Sequence, residues 1–192
     1  NEATARRPAA PSALAASKLA RPDSKRLVVV GRGRVGSLLA DAYRAVLPIE
    51  HVTVWFRGCG VDLETAVREA DIVSCATLAT EPVVKGDWLA PGSHLDLIGS
   101  FTPQMREADD DCFRGASLYV DTPEALVKSG ELLGPMSRGV FAAGDVKGTL
   151  EALCRGGSPG RTGASERTVF KSVGTALEDL AAAVLVFTTP RP

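Results

Sequence analysis

The sequence predicts an α/β fold, a Rossmann-type, doubly wound parallel sheet. Three observations carry that expectation. A continuously apolar run, Leu27-Val28-Val29-Val30, leads straight into the glycine-spaced turn Gly31-Arg32-Gly33-Arg34-Val35-Gly36. From there, short strand-like runs alternate with stretches of helical periodicity, as in a parallel sheet covered on both faces. The 192 residues, 45% of them apolar, also suffice for one domain with a substantial core.

Residues 9–19 are rich in alanine and predict a helix, ended by Ala20-Arg21-Pro22-Asp23. Residues 26–30 read as a buried strand. Val35, Leu38, Leu39, Ala42 and Val46 recur at helical spacing until Pro48 stops them. Residues 51–55 alternate as a second strand. Asp62 has the character of an N-cap, followed by Leu63, Ala66, Val67 and Ala70 on one helical face. Residues 72–75, 95–98 and 118–120 are the next strands, the second of them after the Pro91-Gly92 turn. Asp121 or Thr122 caps a helix that runs through Val127. Residues 130–163 are glycine-rich and predict loop, with one helix over 150–154. A strand at 168–170 and a terminal helix marked by Leu177, Leu180, Ala181 and Val184 complete the set.

One connection is too short. Parallel strands need a crossover of about a dozen residues or more. Between Arg57 and Asp62 stand only Gly58, Cys59, Gly60 and Val61. Either the second crossover helix has been shed or residues are missing from the sequence after Arg57, and the second reading is preferred.

Composition excludes several classes of function. A formal charge of -1 argues against nucleic-acid binding, which wants a strong basic balance. No apolar run approaches the length of a membrane span, and the N-terminal stretch around Arg6, Arg7, Arg21 and Lys25 lacks the continuous apolar core of a signal peptide. The expectation is a soluble, cytoplasmic protein with no membrane partner. Cys59, Cys75, Cys112 and Cys154 are far apart and form no C-x-x-C pair, so neither a metal site nor a disulfide framework is expected. Only His51 and His94 could activate a thiol, and both fall at strand starts, which argues against thiol catalysis.

The glycine turn carries the chemistry. Gly31 permits the tight turn, Gly33 lets a pyrophosphate approach the backbone, and Gly36 lets the helix pack close to the strand. The free N–H groups at the helix start then face the phosphates, with Arg32, Arg34 and Val35 around them. The bare motif is weak, but directly between a strand and a helix it is strong. A nicotinamide dinucleotide is the expected cofactor. NAD sites place an acid at the tip of the second strand, whereas this strand ends Val54-Trp55-Phe56-Arg57. Arg57 suits a 2′-phosphate, so NADP(H) is preferred and NAD(H) remains open.

Several longer motifs resemble the ornithine cyclodeaminase/mu-crystallin family in the same order. They are Thr4-Ala5-Arg6-Arg7, the glycine turn, CATLATEP from Cys75 to Pro82, HLDLIGSFTPQMRE from His94 to Glu107, and FKSVGTALED from Phe170 to Asp179. The resemblance implies a homodimer with two domains, one of which binds nucleotide. The other, built from the N-terminal half and the last helix, carries substrate and dimer contacts. Residues 1–24 and 166–192 would then belong to a partial second domain and 25–165 to the Rossmann domain. The sequence matches only the later part of such a protein. Most of the substrate domain, with its basic substrate-binding residues, has no counterpart.

Carried over residue by residue, the resemblance places Arg7 near the substrate carboxylate, although Pro8 stands where the family has threonine. Ala76, Thr77 and Leu78 match the loop under the nicotinamide ribose. Ser172 and Val173 match the loop that closes over the nicotinamide, and Ser100 joins Arg7 and Ser172 on the substrate side. Phe101 is the informative departure. It stands where cyclodeaminases have an aspartate in a Gly-Gly-Asp segment, and a phenyl ring cannot transfer protons. Asp96 lies five positions earlier within a strand and need not point into the site. Ser100 and Thr102 are poor bases at neutral pH. This argues against ornithine cyclisation and for reduction of a cyclic imino acid of the pyrroline- or piperideine-2-carboxylate type. An ornithine cyclodeaminase and a crystallin-like protein that binds NADPH and a small ligand without turnover are the alternatives.

Overall fold

The computed structural model describes residues 2–188. Its strands are β1 (Arg26–Val30), β2 (His51–Trp55), β3 (Ile72–Cys75), β4 (His94–Leu97), β5 (Ser117–Val120), β6 (Val146–Thr149) and β7 (Thr168–Lys171). They form one all-parallel sheet in the order β2-β1-β3-β4-β7-β5-β6. The helices are α1 (Glu2–Leu19), α2 (Gly36–Arg44), α3 (Leu63–Arg68), α4 (Ala125–Lys128), α5 (Gly130–Ser137), α6 (Leu150–Cys154) and α7 (Ala176–Thr188).

A parallel sheet must be covered on both faces. On one face α1 and α2 close over Leu27, Val29 and Ile72 with Ala9, Ala16, Leu39 and Tyr43. Further along the same face, Ala15 and Leu19 of α1 and Leu153 of α6 meet Tyr119 and Phe170. On the other face, Leu63 and Val67 of α3, Ala125 of α4 and Leu132 of α5 pack with Val28, Val30, Val73, Leu95, Leu118 and Val169. Phe113 and Phe141 stack there with centroids 5.7 Å apart. The small alanine face of α1 lets that helix lie close on the sheet.

Strands β3, β4 and β7 are buried at every position, yet they carry polar groups that need partners. Asp96 accepts hydrogen bonds from the hydroxyls of Ser12 (3.2 Å), Tyr43 (2.9 Å) and Ser74. Burial pushes this carboxyl up to about 6, against the pull of those donors. Asp96 is therefore an interior brace between α1, α2 and the sheet. Lys171 donates to the Leu97 carbonyl at 2.8 Å, and burial lowers its pKa. His94 Nδ1 lies 2.9 Å from Thr168 Oγ1. Burial pushes the Cys75 thiol far up, so it packs as a small apolar group.

The structure departs from the sequence-based expectations at several points. Helix α1 begins at Glu2, well before residue 9, and runs through Pro8 and Pro11. Helix α2 ends at Arg44, which leaves Val46 exposed while Leu47 turns to the core. Asp121 caps no helix: Glu124 holds the N-cap position of α4, and the Asp121 carboxylate turns to the loop after β7. The stretch 130–163 holds α5 and β6 besides the expected α6. Leu177, Leu180 and Val184 of α7 are largely exposed in this chain.

At the short connection, the Cys59 N–H donates to the Phe56 carbonyl (3.0 Å) and Trp55 Nε1 donates to the Val61 carbonyl (3.1 Å). That turn leads to Asp62, whose carboxylate accepts from the Thr65 N–H at 2.9 Å and caps α3 as expected. The six-residue α3 thus serves as the crossover from β2 to β3, and β2 forms an edge of the sheet. Among the described residues no helix is long and apolar enough to cross a membrane.

Candidate dinucleotide-binding site

The chain leaves β1 toward β2 on one side and later returns to β3 on the other. This is the switch point at which open α/β sheets bind ligands, beyond the carboxyl ends of the strands. The glycine turn occupies that point. Gly31 adopts φ 115°, and its N–H donates to the Trp55 carbonyl at 2.8 Å. A Cβ at Gly31 would lie 2.6 Å from the Ala76 carbonyl oxygen, so the turn and the β3 loop touch backbone to backbone. A Cβ at Gly36 would lie 2.3 Å from the Gly31 carbonyl oxygen, which fixes how closely α2 sits on the turn. Gly33 differs, since a Cβ there would meet nothing within 4 Å. The backbone at Gly33 is open to an incoming group.

Among the described residues, the N–H groups of Gly33, Arg34, Val35 and Gly36 meet no acceptor, and the N-cap residue Val35 offers no side-chain cap. Unpaired N–H groups at the start of a helix carry about half a positive charge. Arg34 in the turn and Arg57 just beyond β2 are exposed, and Arg32 lies with Cζ 4.0 Å over the Phe56 ring. Open backbone, free donors and cationic side chains suit a diphosphate.

Two further loops leave the same edge of the sheet. After β3, the Ala76 N–H donates to the Val30 carbonyl at 2.9 Å. Thr77 donates to Glu107 from its N–H (2.7 Å) and its hydroxyl (2.9 Å), while Leu78 projects into solvent. After β4, the N–H groups of Gly99 and Ser100 reach the same Glu107 carboxylate at 2.8 and 3.1 Å. Burial pushes the Glu107 carboxyl up from its usual value; Lys171 and the bonds from Thr77 oppose the shift, and Glu131 adds to it. The Ser100 hydroxyl is turned inward onto Glu131 at 2.7 Å rather than outward. Phe101 is half exposed.

After β7, Asp121 gathers the Ser172 hydroxyl (2.8 Å), the Val173 N–H (2.8 Å) and the Gly174 N–H. Arg7 crosses to α7, 3.1 Å from Asp179 and 3.7 Å from Glu178. Its guanidinium also approaches Gly174, where a Cβ would lie 3.0 Å from Nη1. Burial pushes Glu178 up to about 7; Asp121 adds to the shift and Arg7 opposes it.

The structure thus gathers Gly31, Gly33, Arg34, Val35 and Gly36 with Ala76 and Thr77 at one place, and at another it brings Arg7 to Gly174, the residue after Ser172 and Val173. Sequence reasoning missed the anchoring acids Glu107, Glu131 and Asp121. Each holds at least one partner 24 or more positions away, so no local signal marks them.

A glycine-spaced turn with free N–H groups at the switch point of an all-parallel sheet defines a protein of Rossmann-type fold. The chain belongs to the ornithine cyclodeaminase/mu-crystallin family, whose profile matches residues 1–61 and 56–190. The two segments overlap over residues 56–61, at the short β2–α3 connection. The chain is 46% identical over 193 residues to a Delta(1)-pyrroline-2-carboxylate reductase of Paracoccus denitrificans, covering 90% of this chain and 61% of that protein. It is 34% identical over 205 residues to the ketimine reductase mu-crystallin of Mus musculus, covering 97% and 62%. Among solved structures, the Thermococcus litoralis Delta(1)-pyrroline-2-carboxylate reductase in complex with NADH and L-proline superposes with a TM-score of 0.92 at 33% identity. That match covers 96% of this chain and 64% of the other. The chain spans 61–65% of the length of the curated relatives it matches.

Proposed function

We propose that the whole protein is an NAD(P)H-dependent reductase of cyclic imino acids of the pyrroline- or piperideine-2-carboxylate type. The observation that carries this reading is the loop after β4. Phe101 stands half exposed there, and the carboxylates around the loop are held inward: Asp96 by three hydroxyls, Glu107 by four donors, Glu131 by three. The loop offers no free base for the several proton transfers of ornithine cyclisation. A protonated cyclic imine needs less. It arrives electrophilic with its proton already on nitrogen, and the reaction needs hydride delivery, an anchored carboxylate and exclusion of water.

The residues present fit a dinucleotide. The open backbone at Gly33 and the N–H groups through Gly36 would hold the diphosphate, and Ala76, Thr77, Leu78 and Val173 would border the nicotinamide half, whose reduced ring supplies the hydride. Arg7 would clamp the substrate carboxylate, with Ser172 on the same side of the substrate. Likeness to relatives named as pyrroline-2-carboxylate and ketimine reductases supports the reading. The exposed apolar residues of α7 suit contact with the remainder of the protein and a second copy in a homodimer.

Full-length protein should oxidise the cofactor with pyrroline- or piperideine-2-carboxylate. Cofactor left unoxidised by both imines ends the proposal. Ammonia release from ornithine without net cofactor oxidation selects the cyclodeaminase instead.

Arg57 is proposed to favour NADP(H) by meeting the 2′-phosphate. Loss of one charge-assisted contact costs about 1.5–3 kcal/mol. Arg57→Ala should therefore weaken NADPH about tenfold or more relative to NADH. An unchanged ratio in parallel titrations removes Arg57 from the specificity argument.

A further inference from the structure

Glu107 lies between β4 and β5, fully buried, yet its carboxylate reaches the ends of two neighbouring strands. Oε1 takes the Thr77 N–H and hydroxyl, and Oε2 takes the N–H groups of Gly99 and Ser100. Four donors converge on one carboxylate. It joins the β3 loop to the β4 loop at the edge of the sheet where ligands bind.

The acid is itself held from behind. Glu131 of α5 accepts the Glu107 N–H at 2.7 Å, the Ala108 N–H at 2.9 Å and the Ser100 hydroxyl at 2.7 Å. The packing between the two loops leaves no slack. A Cβ at Gly99 would lie 2.0 Å from the Thr77 carbonyl oxygen and 2.4 Å from Glu107 Oε1. The orientation of Thr77 is therefore set from inside the protein. Satisfying a buried acid would not require its donors to come from two separate loops.

We propose that Glu107 is a positioning residue for the nicotinamide half of the cofactor, acting through Thr77 and the Gly99–Ser100 backbone without touching ligand itself. This rests on the dinucleotide reading above. Glutamine at 107 keeps the shape but sets an amide NH2 against N–H donors, so one of the two loops loses its acceptor.

The test compares two ligands on full-length protein. NADH carries the nicotinamide; ADP-ribose fills the adenosine and diphosphate parts without it. Glu107→Gln should weaken NADH about tenfold or more while ADP-ribose affinity stays within about twofold. The fluorescence enhancement of the bound dihydronicotinamide should be lost with it. Glu131→Gln, which disturbs only the support behind Glu107, should shift NADH the same way by a smaller factor, and it decides the matter if Glu107→Gln does not fold. Equal weakening of both ligands reveals a general structural defect and overturns the proposal, as does unchanged NADH binding. Wild-type protein that binds neither ligand, nor NADPH, removes the dinucleotide reading, and the proposal with it.

Discussion

Replacing Gly33 by valine should yield a folded protein that no longer holds a dinucleotide. A Cβ at this position meets nothing within 4 Å, and the backbone φ is not in the left-handed region. The protein alone thus has room for the side chain, and stability should change by no more than about 0.5 kcal/mol, as at an ordinary surface site. The same space is the approach to the free N–H groups of residues 33–36. Several charge-assisted contacts at about 1.5–3 kcal/mol each would be blocked together, so affinity should fall about a hundredfold or more. Calorimetric titration with NADH, beside thermal unfolding, reads both effects. Gly36→Ala makes the contrast, because its Cβ would press on the Gly31 carbonyl at 2.3 Å and should lower stability as well. A Gly33→Val protein that binds NADH as wild type does would show that the turn is no phosphate cradle.

The second large effect lies at the opposite edge of the sheet. His94 is fully buried, its Nε2 has no hydrogen-bond partner, and burial lowers its pKa from 6.5 to about 3, with Arg161 adding to the shift. The unfolded chain therefore takes up a proton near pH 6.5 that the folded chain refuses until about pH 3. Stability from this group is intact above pH 6.5, falls as pH drops through that window, and levels off near pH 3. The slope approaches about 1.4 kcal/mol per pH unit below pH 6.5, and integrates to about 2 kcal/mol between pH 6.5 and 4.5. Asp96, Glu107 and Glu178 run the other way. Their pKa values are raised in the fold, so they bind protons there first and gain stability as pH falls. The informative measurement is thus a difference. The stability gap between wild type and His94→Phe, from denaturant unfolding at each pH, should change by about 2 kcal/mol in favour of the variant across the window. A gap independent of pH would mean that His94 titrates normally and is not sealed in the fold.

Much of the fold was legible in the sequence because its signals are local. Leu27 to Val30 is apolar throughout since both sides of β1 are covered, and Gly36 answers to a contact with Gly31 in the same turn. Asp62 caps α3 through a bond to Thr65, three positions away. Helix α5 and strand β6 were not legible. Pro135 lies inside α5, and β6 is an edge strand with no fully buried position, so neither shows a clean period. In the site, the phosphate turn could be read from spacing alone. The acids behind the other loops could not: Thr77 and Glu107 are 30 positions apart, and Asp121 and Ser172 are 51 apart. Arg7 was expected beside a ligand carboxylate, and in this chain it is paired with Glu178 and Asp179 on α7.

The glycine turn and the loops after β3, β4 and β7 are held differently, and dissolved electrolyte distinguishes them. Arg34 and Arg57 stand in water, where a physiological salt solution shortens the reach of a charge to about 8 Å. The carboxylates of Glu107 and Asp121 grip their loops from within the protein, beyond the access of counterions. Raising ionic strength should therefore loosen whatever anion sits at the turn while the loops after β3, β4 and β7 keep their shape.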